Sequence, residues 1–231
     1  RNLSYKNKEG EILKTFFKKY RHGLVLIIYG IVYILAFRYL ETRPIHGYHI
    51  VHTVFDDMIP FCEYFIIPYL LWFPYMLLAV IYFVFFNKNK HEYYQLAFNL
   101  MTGMTIFLII CTVFPNGLNL RPEVFTRDNF CIELVKRIYQ TDTPTNVLPS
   151  LHVYNSICCY IAISHCEKLQ HSRLIQKGSL VLSILIILST MFLKQHSVVD
   201  VVAACVMAYF LYTLIYAQEG AKSPRLARQV I

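Results

Sequence analysis

Long apolar runs constrain this chain more than any other feature, because six of them approach or reach the length that crosses a bilayer. A helix spans the hydrocarbon core with about 20 predominantly apolar residues. Hydrophobic residues make up 56% of the 231-residue chain and charged residues only 16%, whereas soluble domains carry about 25% charged residues. The sequence therefore predicts an all-α, polytopic membrane protein, a bundle of six transmembrane helices. The runs are 24–40, 64–86, 93–115, 148–165, 180–193 and 198–217.

The basic residues predict how this bundle is oriented. Placing the N-terminus in the cytoplasm puts 15 of the 22 Lys and Arg residues on the cytoplasmic side, which is the bias expected of membrane proteins. We therefore expect a multi-pass protein of the cell membrane with both termini cytoplasmic. Its parts are a basic N-terminal segment (1–23), a six-helix domain (24–217) and a tail (218–231). The net charge of +8 follows from this distribution and does not indicate nucleic-acid binding.

Three polar stretches fall on the opposite, extracytoplasmic side, at 38–63, 116–147 and 194–197. The first is long enough for an interfacial helix. His152 begins the fourth predicted helix, while His196 and Asp200 flank the start of the sixth. These three residues are distant in sequence, and the orientation nevertheless places them at one depth near the outer surface.

Two imidazoles and a carboxylate are sufficient to transfer a phosphoryl group without a metal or another cofactor. His196 and Asp200 are four residues apart and share a face of a helix, so the carboxylate can accept from Nδ1–H and leave Nε2 as the nucleophile. His152 would act as the general acid and base. Ser150 is a candidate N-cap beside a bound anion, and Arg121 can bind phosphate. Any one of these residues is more commonly a cap or a headgroup contact, but the set favours catalysis.

Three stretches of the sequence, in this order, resemble the motifs of the type-2 phosphatidic acid phosphatase (PAP2) superfamily. The resemblance implies a PAP2-like helical core, with His196 as nucleophile, Asp200 as its partner and His152 as general acid/base. It also implies that Arg121 and Ser150 bind phosphate. The stretches are Phe114-Pro-Asn-Gly-Leu-Asn-Leu-Arg121-Pro122, Pro149-Ser150-Leu151-His152 and Ser189-Thr190-Met-Phe-Leu-Lys194-Gln-His196-Ser-Val-Val-Asp200.

The chain departs from the family pattern at two cationic positions. Phe114 stands where the family has Lys, and Thr190 where it has Arg. Lys194 is predicted to replace one of these phosphate-binding cations, and Arg43 or Arg127 the other. The Leu of Pro-Ser-Leu-His, the missing Arg and the stretch 56–61 look similar to the inositol phosphorylceramide and sphingomyelin synthase branch.

The predicted function is a metal-independent lipid phosphatase that cleaves a phosphate ester at the outer leaflet through a phosphohistidine. The alternative is a phosphotransferase that passes a phosphorylated headgroup to a lipid hydroxyl, such as that of diacylglycerol or ceramide. Both reactions share their first half. A transporter or flippase is disfavoured, because the ionisable residues cluster at one end of the helices and the helix centres are largely apolar.

Two further groups of residues are candidates for a metal site and for a disulfide. His46, His49 and His52 recur at three-residue intervals before Asp56 and Asp57. A metal site is one interpretation, but the polar stripe of an interfacial helix is favoured. Cys62 and Cys131 are the one pair of the seven cysteines expected outside the bilayer, and whether they form a disulfide stays open.

Overall fold

The computed structural model describes residues 18–45 and 47–216, and this part of the chain is mostly helical. The predicted helical class is therefore confirmed. Two short strands, β1 (His49–Ile50) and β2 (Asn116–Gly117), pair in parallel. The helices are α1 (Leu24–Thr42), α2 (Val54–Met58), α3 (Ile66–Ile81), α4 (Lys90–Val113), α5 (Phe130–Thr141), α6 (Leu151–His165), α7 (Arg173–Phe192) and α8 (Val198–Ile215). Turns of 3₁₀-helix precede α1 (Arg21–Gly23) and α3 (Glu63–Phe65), and a π-helical turn follows α3 (Tyr82–Phe86).

Among the described residues, five helical stretches are long and apolar enough to cross a membrane, and they correspond to five of the six predicted runs. The remaining run, 148–165, forms α6, which has only 15 residues. At 1.5 Å per residue this helix is about 22 Å long, against a hydrocarbon core of about 30 Å. Six spans therefore stay a prediction. The five stretches are Lys18–Thr42, Glu63–Phe86, Lys90–Val113, Arg173–Phe192 and Val198–Ile215.

Helix α6 lies at the centre of the bundle, where it packs against α3, α4, α7 and α8. It packs tightly on α4, because Gly103 leaves room for the ring of Tyr154. A Cβ at Gly103 would lie 2.0 Å from Cε1 of Tyr154. The Tyr154 hydroxyl donates to the backbone oxygen of Asn99 at 2.8 Å. These contacts fix α6, and with it the first turn that carries His152.

The segment 38–63 does not form the interfacial helix that its length allowed. Helix α1 ends at Thr42, and Arg43 is extended (φ −67°, ψ 139°) because the following Pro44 disfavours helical geometry at the residue before it. Beyond it lie β1 and the five-residue helix α2. Helix α7 also differs from expectation, since it begins at Arg173 and not near residue 180.

The longest connection, 116–147, folds over the same end of the bundle as His152. Asn116 is fully buried, and its Oδ1 accepts from the backbone N–H groups of Val147 (2.8 Å) and Leu148 (2.9 Å). The connection is thereby tied to the start of α6. Most of the predicted N-terminal segment (1–23) and the whole tail (218–231) lie outside the described residues, so these two divisions of the chain stay predictions.

Candidate active site

His196 and Asp200 form the predicted pair at the start of α8. Ser197 is the N-cap of this helix, and its backbone N–H donates to Oδ2 of Asp200 at 2.9 Å. The same oxygen accepts from Nδ1–H of His196 at 3.3 Å. Asp200 is completely buried and His196 is 8% exposed. Because a carboxylate only accepts, this contact places the imidazole hydrogen on Nδ1 and leaves Nε2 available.

His152 lies beside this pair although it belongs to a different helix. Its ring centroid is 5.6 Å from that of His196. On its other sides the ring contacts two aromatic residues of α3, Tyr69 at 4.6 Å and Trp72 at 4.3 Å between centroids. The structure thus brings together the three residues that the sequence singled out.

Ser150 joins the starts of α6 and α8. It is completely buried, and its side chain caps α6 by accepting from the backbone N–H of Val153. Its own backbone N–H donates to the backbone oxygen of Asp200 at 3.2 Å. The predicted N-cap is confirmed by this geometry, while phosphate binding by Ser150 stays a prediction.

Arg121 reaches the site from the connection after β2. Its guanidinium donates to the backbone oxygens of Tyr139 (3.0 Å) and Asp142 (2.8 Å) and to Oε1 of Gln195 (2.6 Å), which is the neighbour of His196. Burial lowers the pKa of Arg121, and the nearby Tyr139, Tyr69 and Asp142 oppose this shift. A guanidinium remains charged in proteins, so Arg121 brings a positive charge to the edge of the site.

The other predicted cations are engaged elsewhere in the protein. The ammonium group of Lys194 donates to the backbone oxygens of Asp56 and Ile59. Arg43 donates to backbone oxygens at the end of α4, and Arg127 pairs with the buried Glu63 at 3.1 Å. Phosphate binding by Lys194 would require its ammonium to leave both carbonyl groups.

The two positions that lack a family cation have structural contacts of their own. The ring of Phe114 stacks on His49, with centroids 4.6 Å apart. The backbone oxygen of Thr190 accepts from the N–H groups of Gln195 (2.9 Å) and His196 (3.0 Å), which closes the turn between α7 and α8.

Three residues that the sequence did not assign to the site lie at its border: Tyr69, Trp72 and Asp56. Tyr69 and Trp72 are three residues apart on one face of α3, a spacing that equally fits packing. The Tyr69 hydroxyl donates to Oδ2 of Asp142 at 3.1 Å. Asp56 is 2% exposed and accepts from Ser197 Oγ at 2.7 Å. The similarity of the stretch 56–61 to the synthase branch is the sequence signal that points to Asp56.

His49 and His52, two of the three histidines at three-residue intervals, do not share a helix. His49 lies in β1, and Nε2 of His52 is 2.9 Å from a carboxylate oxygen of Asp57. His46 lies outside the described residues. Within the described ranges, no group of three or more His, Cys, Asp or Glu side chains is arranged to hold a metal ion. Cys62 and Cys131 are both free thiols in this structure.

A comparison with protein families matches residues 96–224 to the PAP2 superfamily, which is more than half of the chain. The chain belongs to the PAP2 superfamily. The matched region contains Arg121, Ser150, His152, His196 and Asp200. Members of this superfamily are usually phosphatases or phosphotransferases, and the apolar helices fit a membrane phosphatase-type protein. Searches of curated proteins and of solved structures gave no match.

Proposed function

We propose that this protein is an integral-membrane lipid phosphatase that cleaves a phosphate ester through a phosphohistidine on His196. The observation that carries the proposal is the arrangement of the triad. His196 has a buried carboxylate on Nδ1 at 3.3 Å, and the ring of a second histidine, His152, lies 5.6 Å away. A nucleophile with a fixed tautomer beside an independent acid/base is what two-step phosphoryl transfer requires.

In the first step the Nε2 lone pair of His196 attacks phosphorus, and the bond from phosphorus to the ester oxygen breaks. Protonated His152 donates its proton to that oxygen, so the lipid leaves as an alcohol. The Asp200 carboxylate stabilises the positive charge that develops on the His196 ring. In the second step His152 takes a proton from water, the oxygen attacks phosphorus, and the bond to Nε2 breaks to release phosphate.

The second candidate function, a lipid phosphotransferase, is favoured by the positions of the cations. Lys194 is engaged by backbone oxygens, and Phe114 and Thr190 stand where the family has cations. A phosphomonoester carries close to two negative charges at neutral pH, whereas a phosphodiester carries one and needs less positive charge. In this reaction the hydroxyl of diacylglycerol or ceramide replaces water in the second step. The relation to the sphingolipid synthase branch belongs to this candidate.

We further propose that the site lies on the extracytoplasmic face, with both termini in the cytoplasm. The charge bias of the connecting segments supports this orientation. Lys18, Lys19 and Arg21 precede α1, whereas Leu151, next to His152, packs in a cluster with Leu40 near the other end of that helix. The basic start of α1 and the triad therefore lie at opposite ends of the bundle.

The test uses purified protein in detergent, a mixed lipid extract, and added diacylglycerol or ceramide, with products followed by mass spectrometry. Free phosphate identifies the phosphatase, and a new headgroup lipid identifies the transferase. His196→Ala should abolish turnover, and exhaustive chelation should leave turnover of the wild-type protein unchanged. Wild-type turnover by the His196→Ala protein would refute the mechanism. Movement of lipid between the leaflets of vesicles that contain the protein, without bond cleavage, would indicate a transporter.

A further inference from the structure

We propose that Asp56 is a positioning residue for the nucleophile, acting on His196 through Ser197 and the first turn of α8. This inference rests on the proposed role of His196. Asp56 belongs to a segment far from the triad in sequence, so its contact with Ser197 joins residues 141 positions apart. Its side chain is 2% exposed, although the neighbouring Asp57 is largely exposed.

The Asp56 carboxylate accepts hydrogen bonds from both its own segment and α8. Its Oδ2 accepts from Ser197 Oγ at 2.7 Å, and its Oδ1 accepts from the backbone N–H of Val198 at 2.8 Å. Oδ2 also accepts from the backbone N–H of Thr53 at 2.8 Å. Both oxygens are therefore engaged, and the carboxylate joins the start of α2 to the start of α8.

The hydrogen bonds continue from Ser197 to the nucleophile. The Ser197 hydroxyl donates to Asp56, and the Ser197 backbone N–H donates to Oδ2 of Asp200 at 2.9 Å. That oxygen is the one that accepts from Nδ1–H of His196. The orientation of Ser197 thus determines where Asp200 meets the imidazole, and Asp56 fixes Ser197 from the opposite side.

A second attachment secures the same segment on the other side of His196. Lys194 donates its ammonium hydrogens to the backbone oxygens of Asp56 and Ile59. Lys194 has a positive φ of 53°, a conformation that few residues other than glycine adopt and that persists where surrounding contacts enforce it. Residues 194–198 are therefore bound to residues 56–59 both before and after the nucleophile.

Asp56 also occupies the position where an anion would otherwise meet α8. The free N–H groups and the dipole at the start of a helix favour negative charge. At α8 the Val198 N–H is already taken by Asp56, and Ser197 N–H by Asp200. The first N–H groups of α8 are thus engaged by carboxylates of the chain itself, and Asp56 acts on the nucleophile through the helix.

The experiment uses orthovanadate, which mimics the trigonal-bipyramidal phosphoryl group, and the intrinsic fluorescence of the full chain in detergent. The chain has a single tryptophan, Trp72, and its ring lies 4.3 Å from that of His152. Vanadate bound at His196 should therefore change its emission in a saturable way. We expect Asp56→Asn to raise the vanadate Kd at least tenfold, which is about 1.4 kcal/mol of binding free energy. The matched control Asp57→Asn should leave the Kd within twofold of wild type.

A double-mutant cycle with Ser197→Ala tests whether Asp56 acts through the Ser197 hydroxyl. If Asp56 acts through Ser197, the Kd of the double variant should equal that of the weaker-binding single variant, because the path is already broken. Ser197→Ala alone also serves if Asp56→Asn does not fold, since it removes the hydroxyl that Asp56 binds. A wild-type Kd for either single variant, or multiplying effects in the double variant, overturns the inference. If His196→Ala binds vanadate as tightly as wild type, the proposed function fails as well.

Discussion

Asp200→Asn is the sharpest test of the site, because it changes one atom of a completely buried side chain and preserves its shape. In the wild-type protein, Oδ2 of Asp200 accepts two hydrogen bonds, from Ser197 N–H at 2.9 Å and from His196 Nδ1–H at 3.3 Å. An asparagine can keep its amide oxygen at the position of Oδ2 and accept both hydrogen bonds, because Oδ1 of Asp200 has no hydrogen-bond partner and the NH₂ group can take its place. The variant then preserves the geometry and removes the negative charge beside His196.

The expected loss follows from the charge that faces His196. A hydrogen bond to a charged group contributes about 1.5–3 kcal/mol, and at about 1.4 kcal/mol per tenfold this corresponds to roughly 10- to 150-fold in rate. The imidazole becomes positively charged when Nε2 attacks phosphorus, and a neutral amide stabilises that charge less than a carboxylate does. We therefore expect kcat to fall by roughly 10- to 150-fold.

The assay compares kcat and KM of wild type and Asp200→Asn on the substrate found by the lipid screen, together with thermal unfolding of both proteins in detergent. KM should change little, because Asp200 is completely buried and contacts His196 and not the lipid. Asp57→Asn is the matched control, since Asp57 is a largely exposed acid that pairs with His52. An Asp200→Asn protein that folds and keeps more than a tenth of wild-type kcat would refute this electrostatic argument.

Two further predictions concern stability, both measured by thermal unfolding in detergent. Gly103→Ala should destabilise the bundle by about 1–3 kcal/mol or more, because the new Cβ would lie 2.0 Å from the ring of Tyr154. Gly30→Ala is the control, because no atom lies within 4 Å of a Cβ added there. Equal melting temperatures for the two variants would contradict the close packing of Gly103 on Tyr154. At Asp56, burial opposes ionisation, but the hydrogen bonds from Ser197, Val198 and Thr53 outweigh it and lower the pKa of the carboxyl. The stability that the ionised Asp56 carboxylate contributes is fully present above the pKa of Asp in the unfolded chain, about 3.9. It is lost as the pH falls through the lower pKa of Asp56 in the folded protein. Asp56→Asn should therefore lower the melting temperature at pH 7, and the difference should shrink below about pH 4; a constant difference would exclude this linkage.

The sequence predicted the triad because each member sits at the start of a helix, where apolar periodicity and spacing are informative. Of the six predicted membrane-spanning runs, five correspond to helical stretches of membrane length, although the run for α7 began too late. Residues 173–179 include Arg173 and Lys177, which lower the hydropathy of the segment but remain compatible with a helix whose charged groups extend to the surface. The predicted run 148–165 corresponds to a shorter helix, α6, because Ser150 caps this helix and the residues before the cap are not helical.

The sequence could not predict the contacts of three residues that border the site, Asp56, Tyr69 and Trp72, and the reason is different. Asp56 meets Ser197 across 141 residues, and no periodic pattern encodes a pairing between two connecting segments. Tyr69 and Trp72 lie on a helix face that would look the same if it packed only on apolar neighbours. Lys194 was predicted to bind phosphate from its position beside the nucleophile, but the local turn directs its ammonium to Asp56 and Ile59.

The two histidines are positioned by different interactions, and the difference supports their proposed roles. His196 is bound through Nδ1 to a carboxylate, which fixes its tautomer and leaves Nε2 as the nitrogen that faces the substrate. His152 is positioned by the ring faces of Tyr69 and Trp72, and no acidic side chain in the described part of the chain is hydrogen-bonded to it. A nucleophile needs one protonation state throughout, whereas an acid/base must release and recover a proton in each turnover. Stacking positions the His152 ring through its faces and engages neither ring nitrogen, which suits the acid/base role, whereas the contact with Asp200 suits His196 to attack.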